Sequence, residues 1–199
     1  MAARNAERLA AGVKALEAKG IRAAAFPTDV SDPAAARALV GKVRTALGPL
    51  TAIEWTAYSH GAGDLLTADV PEIRGALDIA VTSLLAVVRE ALPDLKAQKD
   101  GAVLVVNGGL GYFDPKVDAM AVQWGSMGLA VANSAKHKLV GLLSQKLKAD
   151  GVYVGEAMVM GLVKGTAFDS GNATIDPKTI AAKLWDLYRA RDQVTAEVA

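Results

Sequence analysis

The chain has 199 residues, 52% of them hydrophobic, and a formal net charge of +1. That suits one domain with a real core and gives no general attraction to nucleic acid or an anionic membrane. With no cysteine and only His60 and His137, disulfides and thiolate metal sites are excluded and a histidine-rich metal site is not expected. No apolar run reaches the ~18 residues that span a bilayer and nothing reads as a signal peptide, so the expected setting is the cytoplasm.

Met1 to Ala3 are too few to form an element before the first helix. Asn5 can cap that helix, Leu9, Val13 and Leu16 make its apolar stripe, and Gly20 closes it. Ile21 to Phe26 reads as a short strand ending in Pro27-Thr28-Asp29-Val30. Ser31-Asp32-Pro33 starts a second helix, with a side-chain cap and proline at the first helical position. It turns Leu39, Val40, Val43 and Leu47 inward and stops at Gly48-Pro49. Leu50 to Ala57 is the next strand, interrupted by Thr51, Glu54 and Thr56. A strand buried on both faces is continuously aliphatic, so one edge or face of this strand should be less buried. Pro71 opens helical sequence to about Lys96, apolar nearly all round from Ile79 to Val88, which predicts burial against another helix or subunit. Ala102 to Val106 is a buried parallel strand, Asn107 to Lys116 a glycine-rich loop, and Ala119 to Ala132 a helix interrupted by Gly125 and Gly128.

The chain is organised around residues Asn133 to Phe168. A helix from about Asn133 to Lys148 places Leu139, Leu142, Leu143 and Leu147 near one face, and Asp150-Gly151 ends it. Val152 to Met160 is a mostly apolar strand, and Gly161 to Thr166 leaves its carboxyl end. Asp176-Pro177 starts a last helix with Ile180, Leu184 and Leu187 at helical spacing, and Val194 to Val198 can add a terminal strand. Strands alternating with such helices predict a single α/β domain over residues 1–199 with a mostly parallel sheet. Ligands bind outside the carboxyl ends of the strands in such sheets, which directs attention to Lys136 and the loop from Gly161 to Thr166.

Several residues have both a functional and a bland reading. Asn107-Gly108-Gly109-Leu110-Gly111 follows a strand but lacks a third dinucleotide-fingerprint glycine, and Asp114-Pro115 follows it instead of an immediate helix. Gly61-Ala62-Gly63 is no better. Tyr112 and Lys116 have the spacing of an acid pair, but Pro115 between them makes a shared helix face improbable. His60 can be an acid or base, or a polar loop residue. Asp29 can bind an adenine edge or close a turn. Arg4 is a solvated charge unless an anion lies nearby, and Lys136, on its helix's first turn, reads as a surface lysine unless its neighbours say otherwise.

Together these segments resemble the short-chain dehydrogenase/reductase family, whose members bind NAD or NADP on a Rossmann-like three-layer fold and interconvert carbonyls and alcohols. The resemblance runs from Arg4 onward. Ala3-Arg4-Asn5 resembles the exit of the family's second strand, where an arginine meets the NADP 2′-phosphate, and Asp29-Val30 resembles its adenine-binding Asp-Val. Leu77 to Thr82 matches the segment that carries an active-site asparagine, Gly101 to Gly108 the strand ending at the catalytic serine, and Ser134-Ala135-Lys136 the end of Tyr-x-x-x-Lys. Met160-Gly161 with Thr166 looks like the loop against the nicotinamide.

The resemblance implies cofactor contacts at Arg4, Asp29, Val30, Lys136, Gly161 and Thr166, with Lys136 also catalytic. It also shows departures. The family's first strand and Gly-x-x-x-Gly-x-Gly loop are absent, and Trp55 and Tyr58 replace small residues beside the cofactor. Ala80 stands for the asparagine, Asn107 or Gly108 for the serine, and Ala132 for the tyrosine. A lysine alone does not replace a positioned phenol as proton donor. The expectation is an NADP-preferring oxidoreductase of small molecules with a degenerate tetrad. The alternatives are an inactive family member kept for binding or assembly, and a non-redox site near His60, Tyr112 and Lys136. By family analogy, the helices around Ile79–Val88 and Ala130–Leu143 pair in a homodimer or homotetramer.

Overall fold

A computed structural model describes residues 1–199 as strands alternating with helices, and every strand pair in it is parallel. The sheet is in two pieces. β1 (Ala2–Ala3) pairs β2 (Phe26–Pro27), while β3 (Ala52–Trp55), β4 (Ala102–Gly108), β5 (Tyr153–Val159) and β6 (Thr195–Val198) lie side by side in that order. The helices are α1 (Ala6–Glu17), α2 (Pro33–Leu47), α3 (Val70–Leu77), α4 (Ser83–Ala97), α5 (Pro115–Gln123), α6 (Met127–Leu147) and α7 (Pro177–Ala190). This is the expected Rossmann-like α/β architecture, with a break between its two sheet pieces.

The break accounts for the polar pattern of β3. No strand joins it to the two-stranded piece, so β3 is an outer strand, with Ile53 and Trp55 buried and Ala52 and Glu54 exposed. The first residues differ from expectation: Ala2 and Ala3 form a strand because the N–H groups of Phe26 and Thr28 donate to the Met1 and Ala3 carbonyls at 2.9 and 3.0 Å. With so short a partner, the strand expected over Ile21 to Phe26 contracts to two residues.

β5 has strand neighbours on both sides and divides the core. On one face, Ile53, Trp55, Val105 and Val154 pack with Leu84 and Val88 of α4 and Val140 of α6. On the other, Leu104, Ala157 and Val198 pack with Ile180 and Leu184 of α7. α2 lies against α4, where Arg44 Nε meets Asp94 Oδ2 at 2.9 Å and Arg37 Nε meets Glu90 Oε2 at 2.8 Å.

Helix boundaries moved where caps decide them. α5 begins at Pro115 because the Asp114 carboxylate accepts from the Lys116 and Val117 N–H groups. α6 begins at Met127, well before Asn133. The Ala62 and Gly63 carbonyls accept from the Gly128 and Met127 N–H groups at 2.9 and 3.0 Å, satisfying donors that a helix start leaves unpaired. Gly151, at φ 72°, follows the last turn as expected. A π-helical turn at Asp78–Thr82 separates α3 from α4 within the segment read as one helix. No helix is long and apolar enough to cross a membrane.

Candidate active site

A cavity of about 630 Å³ opens at the carboxyl ends of β4 and β5, lined by Asn107, Gly108, Val159 and Gly161, with α6 and α7 beside it. Lys136 is part of its wall and is only 2% exposed. The early start of α6 moves this residue from the helix's first turn to its third, so it is a buried lysine and not a surface one. Burial pulls its pKa down to about 8, against the opposing pull of Glu156.

Glu156 is the least expected group here. It sits in β5, fully buried. Burying a carboxyl group is costly unless hydrogen bonds compensate, and three polar side chains reach this one. Thr195 Oγ1 donates to its Oε1 at 3.0 Å, Asn107 Nδ2 donates to its Oε2 at 3.1 Å, and His137 Nδ1 pairs with Oε1. Asn107 Nδ2 also donates to the Asn133 carbonyl at 3.1 Å, while its Oδ1 accepts from the Gly108 N–H. The amide of Asn107, which with Gly108 is one of the two candidates for the place of the family's serine, is therefore engaged inward. Beside this group Tyr112 donates to Glu197 Oε1 at 3.0 Å, and its ring meets His137 edge-on at 5.7 Å. Burial first, then Glu197, raises the Tyr112 pKa to about 12.

The other sequence candidates fall into separate places. Gly161 and Thr166 line the cavity, with the Thr166 hydroxyl donating to the Val163 carbonyl at 2.8 Å. Tyr58 and Phe168 stack at 5.9 Å on the cavity wall, and His60 meets Phe168 edge-on at the same separation. Trp55 is not at the cavity: it points into the core, where its indole N–H has no partner. Lys116 belongs to α5 and Tyr112 precedes that helix, so their spacing creates no shared face. Ala80 and Ala132 lie together in a small buried cluster with Ala76.

Arg4 and Asp29 stand on the two-stranded piece. The Ser31 N–H and hydroxyl donate to Asp29 Oδ1 at 3.0 and 2.8 Å. Those bonds, with a smaller contribution from Arg4, hold the Asp29 carboxyl below its usual range. Val30 packs against the main core. The structure thus brings Lys136, Gly161 and Thr166 to one cavity and leaves Arg4 and Asp29 beside each other across the sheet break.

A profile described as short chain dehydrogenase matches residues 1–168. The chain belongs to the short-chain dehydrogenase family. No curated protein sequence matches this short-chain dehydrogenase. Among solved structures it is similar to an NADPH-bound short-chain oxidoreductase of Pseudomonas aeruginosa PAO1 that contains an atypical catalytic center. The two share 20% identity over 99% of this chain and 83% of that one, with a TM-score of 0.83. A Burkholderia cenocepacia J2315 short-chain dehydrogenase in complex with NADP is 22% identical over 99% and 84% of the two chains, at a TM-score of 0.84. A blue fluorescent protein from a metagenomic library, in complex with NADPH, is 21% identical over the same shares, also at 0.84. At these identities the similarity establishes the fold.

Glu156 and His137 were not marked out by the sequence reading of this short-chain dehydrogenase. A signal existed: a single carboxylate in the middle of an otherwise apolar strand requires a buried partner.

Proposed function

We propose that the protein is an NADP(H)-dependent oxidoreductase acting on the carbonyl or alcohol of a small molecule, with a catalytic tetrad reduced to its lysine. The observation that carries this is the placement of Lys136, buried and lining a cavity at the strand ends. The donor sets fit the two ends of a dinucleotide. Arg4 supplies a cation for the 2′-phosphate, and Asp29 keeps Oδ2 free of its Ser31 bonds as an acceptor for the adenine amine. Val30 backs that turn, Lys136 would hold ribose hydroxyls, and Gly161 with Thr166 would border the nicotinamide. When bound, the cofactor supplies hydride chemistry.

A specific observation favours a second reading, an inactive binding or assembly subunit. Ala80 and Ala132 stand at the places of two tetrad members, and neither side chain can donate or accept a proton. Fluorescence titration with NADPH and NADH separates the readings. Saturable NADPH binding, weakened about tenfold by Arg4→Ala through loss of one charge-assisted contact, supports the first. No binding of either nucleotide leaves the second. In either case we expect a homodimer or homotetramer through the helices around Ile79–Val88 and Ala130–Leu143, the second of which leaves Val131 and Leu142 47% and 58% exposed. A monomer by light scattering at micromolar concentration overturns that assembly.

A further inference from the structure

We propose that the cavity takes an uncharged compound with an apolar body, and that Met120 of α5 is a residue that sets this preference. The ligand class is argued from the cavity's lining. Its turnover as a carbonyl compound or alcohol rests on the oxidoreductase reading.

The lining has two chemically different parts. β4 supplies Asn107, and α6 supplies Asn133 and Lys136. Other elements supply an apolar part: Met120 from α5, Trp124 from its end, Phe168 from the loop after β5, and Ile180 and Leu184 from α7. None of these five side chains carries a charge. In the whole lining only Glu54 and Lys136 do, and no arginine, aspartate or histidine is present. Glu54 stands exposed on the outer strand β3. Lys136 is 2% exposed and is the residue assigned to the ribose hydroxyls in the oxidoreductase reading. A carboxylate or phosphate on the body of a ligand would therefore leave water and find no counter-ion among the apolar groups, which is costly.

Exposure points the same way. Met120 and Trp124 are 37% and 56% exposed although both border the cavity. Single apolar side chains at a surface are ordinary, but these two continue an apolar concave wall, which marks a place for a ligand. The volume of about 630 Å³ falls among small-molecule sites, which run from roughly 300 to 1,000 Å³. Much of the wall is fixed before anything binds. Ile180 and Leu184 pack with Leu104, Ala157 and Val198 in the core. Phe168 stacks on Tyr58 and meets His60 edge-on. The part left to solvent is the α5 side, where an apolar body would cover Met120 and Trp124.

The test uses the full chain labelled with ¹³C at its five methionine methyl groups. Met120 and Met160 line the cavity and Met1, Met127 and Met158 do not. Met120→Leu and Met160→Leu assign the two cavity signals. The probes are 1-(2-naphthyl)ethanol and its 6-carboxylate, titrated with and without NADPH; both are already reduced, so a reduced nicotinamide does not consume them. The uncharged alcohol should shift the Met120 and Met160 signals saturably and leave Met1 in place. The carboxylate should bind at least about 30-fold more weakly. Met120→Lys, at a part-exposed position where the lysine stem can replace the methionine, should narrow that ratio about tenfold by supplying a counter-ion. A carboxylate that binds the wild type as tightly as the alcohol, as pairing with Lys136 would produce, overturns the proposal. So does an alcohol that moves neither cavity signal with or without NADPH, and a ratio unchanged by Met120→Lys overturns the role given to that residue. The NADPH arm separates the two levels. Nucleotide binding without preference for the uncharged probe defeats only this inference, whereas a selective site in a chain that binds no NADPH defeats the oxidoreductase reading and leaves the ligand class standing.

Discussion

Gly128 and Gly141 lie in the same helix, α6, and the same substitution at each should have opposite effects. A Cβ at Gly128 meets the Ala62 carbonyl oxygen at 2.6 Å, the Ala62 Cβ at 2.7 Å and the Gly61 carbonyl oxygen at 2.7 Å. These are mostly backbone atoms. Ala62 is buried, holds φ 58° and accepts the Gly128 N–H, so it has little freedom to retreat. Overpacking of this kind costs about 1–3 kcal/mol. Pushing the loop away also weakens two capping hydrogen bonds worth about 0.5–1.5 kcal/mol each. Against this, alanine gains about 0.5–1 kcal/mol over glycine inside a helix. We expect Gly128→Ala to lose roughly 2–4 kcal/mol, or about 5–10 °C in Tm for a chain of this size. At Gly141 a Cβ meets nothing within 4 Å. Gly141→Ala should therefore gain about 0.5–1 kcal/mol. Urea denaturation of both variants and the wild type decides it. If Gly128→Ala is as stable as Gly141→Ala, loop 61–63 is not held against α6 as described.

Two further outcomes concern buried polar groups. The folded-state pKa of Lys136 lies below its ordinary value of 10.5, at about 8, so its charged form is penalised by roughly 3 kcal/mol. That penalty is fully present below pH 8 and disappears as pH rises toward 10.5. Lys136→Met should therefore be more stable than the wild type at pH 7, with the gain shrinking between pH 8 and 10. A gain independent of pH would mean that packing, not charge, causes it. Ser83 is fully buried and its hydroxyl has no partner in the chain. Ser83→Ala should stabilise by about 1 kcal/mol in urea denaturation, and a loss of stability would show that the hydroxyl is satisfied.

The order of elements was legible because caps and periodicity are local. Asn5, Asp32, Asp176 and Gly151 act where the sequence placed them. The start of α6 was not legible, because the acceptors that extend it belong to Ala62 and Gly63, far away in sequence. With α6 starting at Met127, Lys136 lies on its third turn, where it is buried. Glu156 needed its three polar partners to come together from β4, α6 and β6, which no local pattern announces. Thr51, Glu54 and Thr56 indicated a strand less buried on one edge or face, and β3 is an outer strand with Glu54 exposed.

The broken sheet has a consequence for binding. α1 buries only Leu9, and the strands at the chain's start bury nothing, whereas α2 buries three residues and is ion-paired to α4. The amino-terminal corner is thus fastened mainly through α2, and its amides should exchange with solvent ahead of those in β4 and β5. Arg4 rides on that loosely fastened corner. An anion held by Arg4 would therefore do two jobs at once, filling a charge site and tightening the corner that carries it, so that affinity and local order would become one equilibrium.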